Sequence, residues 1–385
     1  MIKIAAVAAA FLALGAQDDK KTVKVDDFES ELSGWAAIKL DDATGFGLDE
    51  DSKVVLTQDA KNVKAGKSAL EYTFELAPTV LRVLGLQRAL DLSGMKSLRF
   101  WVKCTSTTAL VFGLNEQGGA NYQASVYCPA GAWQEVVLNL DELTLDDPAK
   151  DANGKLDLDE VQSLHVMDLG SFLVRILPEI KGSRTVWVDD LVFSAKAVAR
   201  TTGATKSTAG KPIHLVDNFE SPVIRWAPIS FELAETPKIG VFDAPVATDT
   251  DAKAGKQSLK MTYTRGAAKV QGLLRSLEKL DLGKATRLEL SLKTSQDGMF
   301  IVSLEEKDGS RYQQIVDLKA ADGWKSLSYD FSTFTKTDDT QDENDKLDAD
   351  QIKEMSVADF TTLAGAGAGV ENILRVDEVF FALQP

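Results

Sequence analysis

The first half of this chain returns in its second half, and that repetition restricts the fold more than any other feature. Val25-Asp26-Asp27-Phe28-Glu29-Ser30 comes back as Val216-Asp217-Asn218-Phe219-Glu220-Ser221, and Trp35 as Trp226. Lys64-Ala65-Gly66-Lys67 comes back as Lys253-Ala254-Gly255-Lys256, Tyr122-Gln123 as Tyr312-Gln313, and Trp133 as Trp324. Asp151-Ala152-Asn153-Gly154-Lys155-Leu156-Asp157 matches Asp342-Glu343-Asn344-Asp345-Lys346-Leu347-Asp348. Val188-Asp189-Asp190-Leu191 closes the first copy as Val376-Asp377-Glu378-Val379 closes the second. The blocks keep their order at an offset of about 190 residues, the mark of one domain duplicated in tandem. Residues 22–196 make the first module and 211–385 the second. Between them, 197–210 is rich in Thr, Ala and Gly and reads as a flexible linker.

Inside each copy the apolar residues recur at every second position. Leu98, Phe100 and Val102 alternate with Arg99, Trp101 and Lys103, and Leu288, Leu290 and Leu292 alternate with Glu289, Ser291 and Lys293. Only a strand sends alternate side chains to opposite faces. Short alternating runs separated by Gly, Asp and Asn turns predict an all-β fold, two tandem antiparallel β-sandwich domains. One short helical turn is expected in each, because Asp157 with Glu160, and Asp348 with Gln351, stand at capping-box spacing.

The first residues bear on compartment. Met1-Ile2-Lys3 is followed by an apolar run from Ile4 to Ala16, too short to span a bilayer and of the length of a secretory signal peptide, 1–16. The expected location is secreted or periplasmic. The whole chain carries a formal charge of −15, and the signal contributes only Lys3, so the remainder is more negative still. That balance repels phosphate backbones and anionic lipid surfaces; neither nucleic acid nor membrane insertion is expected, and divalent cations are. The two cysteines, Cys104 and Cys128, share the inward parity of their strands. They form either a disulfide, which an oxidising compartment permits, or two buried thiols.

The opening Val25-Asp26-Asp27-Phe28-Glu29 with Trp35, the run Gly154 to Val161 leading into Ser163-Leu164-His165-Val166-Met167, and Val188-Asp189-Asp190-Leu191 together resemble the family 11 carbohydrate-binding modules. The resemblance implies a jelly roll with a concave glycan face, a β-glucan-like polysaccharide as partner, and a structural Ca²⁺. Where that family grips glucan with tyrosines, this chain has Ile38, Val80 or Arg82, and Asp168, and the second copy has Ser356 in place of His165.

Sugar recognition needs flat apolar rings and forked polar groups. In the first module the outward-parity residues that supply them are Arg99, Trp101, Gln123, Tyr127 and Trp187. Trp101 and Trp187 have a second reading, as covers for a sheet edge or a neighbouring domain. The second copy has Ser291, Asp317 and Arg375 in place of Trp101, Tyr127 and Trp187, so the first module is the expected binder. Glu29 with Asp189, and Glu220 with Asp377, lie on first and last strands that commonly adjoin; they either share a Ca²⁺ or face solvent as turn and edge residues. Asp151, Asn153, Gly154 and Asp157 resemble part of a Ca²⁺ loop, yet Ala149 stands where an EF-hand needs its first ligand, and a capped turn explains the same residues. No nucleophile–histidine, zinc or P-loop motif occurs. The expected function is non-catalytic glycan binding. The alternative is a structural or surface-associated protein whose modules have lost sugar binding.

Overall fold

The computed structural model describes residues 22–384, apart from 33, 176, 178–179, 201–205, 233–237, 240–245, 339 and 343. The expected signal segment and the middle of the expected linker lie outside the described residues. The chain divides into two compact units, one formed chiefly by residues up to Val198 and the other chiefly by Ala199–Pro385.

The first module opens with β1 (Thr22–Asp26), β2 (Trp35–Asp41), β3 (Gly45–Leu48) and β4 (Lys53–Thr57), then β5 (Ala69–Leu76) and β6 (Val80–Leu86). It continues through β7 (Ser97–Cys104), β8 (Thr108–Glu116), β9 (Asn121–Cys128), β10 (Gln134–Asn139) and β11 (Thr144–Leu145). It ends with β12 (Val161–Asp168), the short helix α1 (Leu169–Leu173) and β13 (Gly182–Ser194). These strands form two antiparallel sheets. One, of six strands, has the order β10-β7-β13-β5-β4 with β1 also on β13; the other, of seven, has the order β11-β9-β8-β12-β6-β2-β3.

The second module repeats the plan with β14 (Ile213–Asp217), β15 (Ala227–Glu232), β16 (Lys238–Ile239), β17 (Val246–Asp249), β18 (Ser258–Thr264) and β19 (Lys269–Ser276). Then come β20 (Ala285–Thr294), β21 (Gly298–Glu306), β22 (Arg311–Leu318), β23 (Lys325–Asp330), β24 (Thr335–Lys336), β25 (Ile352–Asp359) and β26 (Glu371–Leu383). Its sheets also have six and seven strands. The expected all-β tandem sandwich is the fold observed.

The repeated opening motif forms a corner. Asp26 accepts the Phe28 backbone N–H at 2.8 Å on one oxygen and the Trp35 indole N–H at 2.9 Å on the other, while Phe28 takes φ +58°. Asp217, Phe219 and Trp226 repeat this arrangement, with Phe219 again at +58°. Both phenyl rings sit in the core beside their tryptophans. The alternation read in the sequence is the packing itself: Leu98, Phe100 and Val102 of β7 are fully buried between the sheets.

Two expectations need correction. Asp157 and Asp348 do not cap a turn with their side chains; each carboxylate accepts from the amide of Asn153 or Asn344 instead, and Asp348 precedes its 3₁₀ turn without a side-chain cap. A local cap does form elsewhere, where Glu142 accepts the Asn139 N–H at 2.8 Å. The disulfide is also absent: Cys104 and Cys128 are buried thiols. They end strands of opposite sheets, β7 and β9, so inward parity alone did not bring the sulfurs into bonding geometry.

Candidate functional site

The four residues expected to hold a metal meet at the repeated Lys-Ala-Gly-Lys turn. Asp189 of β13 accepts the N–H groups of Lys64 and Ala65, both at 2.9 Å, through Oδ2. Glu29, just beyond β1, accepts those of Lys67 and Ser68 at 2.8 and 3.2 Å through Oε1. Asp377 and Glu220 treat residues 253–257 in the same way. The glycine is required because its φ is +67° and a Cβ there would stand 2.0 Å from Glu29 Oε1. Asp189 is fully buried, burial raises its carboxyl, and its Oδ1 has no hydrogen-bond partner. Burial likewise pushes Asp377 up to about 6.

The second acidic group is a lattice of side-chain turns. Asp151 accepts the Asn153 N–H, the Lys155 N–H and the Tyr122 hydroxyl, and Glu116 accepts the Asp157 N–H. Asp342, Tyr312 and Glu306 repeat it in the second module, where Glu306, Asp308 and Asp342 bring oxygens within 4.8 Å of one another.

The five expected ligand residues fall on two different sheets. Arg99, Trp101 and Trp187 belong to the six-stranded sheet, Gln123 and Tyr127 to the seven-stranded one. No single sheet face holds all five. On the six-stranded sheet the indoles are already engaged. Lys64 Nζ lies 4.0 Å from the Trp101 ring centre, and Lys103 Nζ lies 5.2 Å from that of Trp187. Trp187 is only 8% exposed and donates its N–H to Glu71 at 2.9 Å. Arg99 pairs with Asp190 at 2.6 Å. Tyr127 is buried, which raises its phenol to about 12.

The outer face of the seven-stranded sheet is organised in rows that the register defines. At one end Phe46, Leu40 and Leu81 lie across β3, β2 and β6, followed by Leu48, Ile38 and Val83. Phe46 is 75% exposed, Leu48 68% and Leu40 44%. The next row is Ala36, Gly85, His165 and Gly113. Glycine is needed at 113 because a Cβ would stand 2.2 Å from the His165 ring, which lies across it. Beyond it come Ser163 and Asn115, hydrogen-bonded at 2.9 Å, with Asn115 also 3.3 Å from His165 Nδ1. Asn121, on the same face, donates to Gln123 and to Asp146. Burial holds the His165 ring down to about 4, so it is neutral across the physiological range. In the second module Ser356 and Ser303 face each other where His165 and Gly113 do.

Of the residues standing where the family 11 modules carry tyrosines, Ile38 is on this outer face. Arg82 points inward and pairs with buried Asp49, and Asp168 caps α1 through Gly170 N–H at 2.7 Å. The exposed corner of Phe46 and Leu48 was not among the expected site residues. Its signal was present, since both alternate as Ile38 and Leu40 do, across a short Asp-Ala-Thr-Gly turn.

The molecule is thus a tandem pair of two-sheet β-sandwich modules. No family model matches the chain, and no curated protein does. Among solved structures, it is similar to a family 11 carbohydrate-binding module from Clostridium thermocellum in complex with a β-1,3-1,4-mixed-linked tetrasaccharide. That match has 20% identity and a TM-score of 0.34, over 45% of this chain and 98% of the other. It is also similar to the tandem family 22 modules of Paenibacillus barcinonensis Xyn10C, at 13% identity and a TM-score of 0.30, over 94% and 96%. A family 30 module from Clostridium thermocellum matches at 13% identity and 0.28, over 41% and 94%.

Proposed function

We propose that this chain is an exported, non-catalytic glycan-binding protein whose first module holds a β-linked polysaccharide on the outer face of its seven-stranded sheet. The observation that carries the reading is Phe46, three-quarters exposed on the same sheet face as a glycine-floored strip edged by amides. A phenyl ring offers the apolar face that a pyranose covers, and Asn115, Asn121 and Gln123 offer forked groups to hydroxyls. Trp101 serves less well, because Lys64 already occupies one side of its ring. Affinity electrophoresis of the whole chain against soluble β-glucans tests this. Phe46→Ala should weaken retardation about fivefold, on the order of the 1 kcal/mol that ring stacking supplies, and Trp101→Ala should leave it unchanged. Loss with Trp101→Ala alone moves the site to the other sheet; no retardation of the parent by any glycan sinks the reading in favour of a structural protein.

The first module's carboxylate clamp fits a hard cation: the donors are all oxygen, and the buried, orphaned Asp189 Oδ1 is the kind of atom a cation satisfies, whereas Asp377 Oδ1 in the second module already accepts the Glu378 N–H at 2.8 Å. Glu29 with Asp189, and Glu220 with Asp377, would hold a structural Ca²⁺ in each module. Chelation should then lower the melting temperature, and a melting curve indifferent to both chelator and added Ca²⁺ would remove the metal from the account.

A further inference from the structure

A cavity of about 550 Å³ opens in the first module where the loop before β12 passes the segment after β10. Its walls are aliphatic: Met95, Leu140, Leu143, Leu156 and Leu158, with Tyr122 behind them. Its size falls in the range of small-ligand pockets. The second module carries larger side chains at the equivalent positions. Phe331 and Phe334 stand where Leu140 and Leu143 do, and Phe331 packs edge to face on Phe334 and on Phe381 at 6.4 and 5.9 Å. Tyr329 adds a further edge contact to Phe334 at 6.0 Å. Where the second module has two packed rings, the first has two leucines.

The rim gives the groove a sign. Lys96, Lys155 and Asp141 line it and are exposed, and among the described residues neither ammonium has an ion-pair or hydrogen-bond partner. Asp151 is taken up by the Tyr122 hydroxyl and the Lys155 N–H behind the wall, so at the rim itself two ammonium groups without ion-pair partners stand against one carboxylate and favour an anionic head group, while methylene and methyl walls favour a chain without hydroxyls. We propose that this groove binds an amphiphile with an aliphatic chain and a terminal carboxylate, seated with its chain against Leu140, Leu143 and Leu156 and its head between Lys96 and Lys155. This site is separate from the glycan face and does not depend on it.

Isothermal titration calorimetry of the whole chain with dodecanoate, below its micelle-forming concentration, tests the proposal. One dodecanoate should bind per chain, and dodecyltrimethylammonium, which carries the opposite charge on the same tail, should bind about tenfold more weakly, the value of two exposed ion pairs. Leu140→Phe with Leu143→Phe imports the rings of the second module and should abolish binding. Lys96→Glu with Lys155→Glu changes only exposed side chains, so it decides the matter even where the filled variant does not fold; it should reverse the preference between the two amphiphiles. No saturable binding of dodecanoate, equal affinity for both amphiphiles, or binding unchanged in both variants overturns the proposal.

Discussion

Replacing Glu306 by Gln removes a charge that the second module holds at a cost. Glu306 ends β21, is 2% exposed, and has its carboxyl raised to about 7, chiefly by burial and then by the negative charges of Asp342, Asp308 and Asp348. Its Oε1 accepts the Asp348 N–H at 2.5 Å, a bond that a Gln carbonyl oxygen preserves. The ordinary value, 4.5, applies to the unfolded chain. Because the folded value lies above it, the contribution of the neutral form is complete below about pH 4.5 and is lost as pH rises through about 7. The two values differ by an amount corresponding to roughly 3 kcal/mol at full weight, and solvent around the exposed neighbours reduces that to about 1–2 kcal/mol. Glu306→Gln should therefore match the parent at pH 4 and exceed its stability by that amount at pH 8. Urea unfolding at both pH values, with EDTA present to keep divalent cations off the trio, reads the difference. A variant that gains nothing at pH 8 relative to pH 4 would refute the idea that Glu306 is held as an uncompensated buried charge.

Two further outcomes can be checked directly. Thiol labelling of the denatured, unreduced chain should find two reactive cysteines; none would restore the bond between Cys104 and Cys128. His165 is held to about 4 by burial, below the ordinary 6.5, so the stability it contributes is complete above about pH 6.5 and is lost as pH falls towards 4. Its ring proton shifts should stay those of a neutral imidazole at pH 5.5, and a titration midpoint near 6.5 would show a solvated ring instead.

The duplication and the period of two were legible because both follow from burying one face of each strand, and burial is written along the sequence. The convergence of Glu29 and Asp189 was legible in part, from the common adjacency of first and last strands. Its target was less so: the Lys64 to Lys67 repeat was visible, but nothing local says that its N–H groups point at both carboxylates. Parity assigned Trp187 to the outward side and could not show that Glu71 and Lys103, from neighbouring strands, cover it. The capping boxes failed for the same reason. Asp157 finds Asn153 and Glu116, and Glu116 lies forty-one residues away in the chain, so a local spacing rule had a distant competitor.

The position of β13 has a consequence for how each module comes to be. This last strand, Gly182–Ser194, is interior to its sheet and pairs with β1, β5 and β7 at once, as β26 does with β14, β18 and β20. Until its residues have been synthesised, the strands on either side have no common neighbour and the sheet has no middle. Each module therefore closes last to first, with its slowest and longest-range pairings deferred to the final stretch of chain. A module built this way stays open until its last strand emerges, and shortening the first copy by that strand would leave the pairs β7–β10 and β4–β5 with nothing to join them rather than trim a margin.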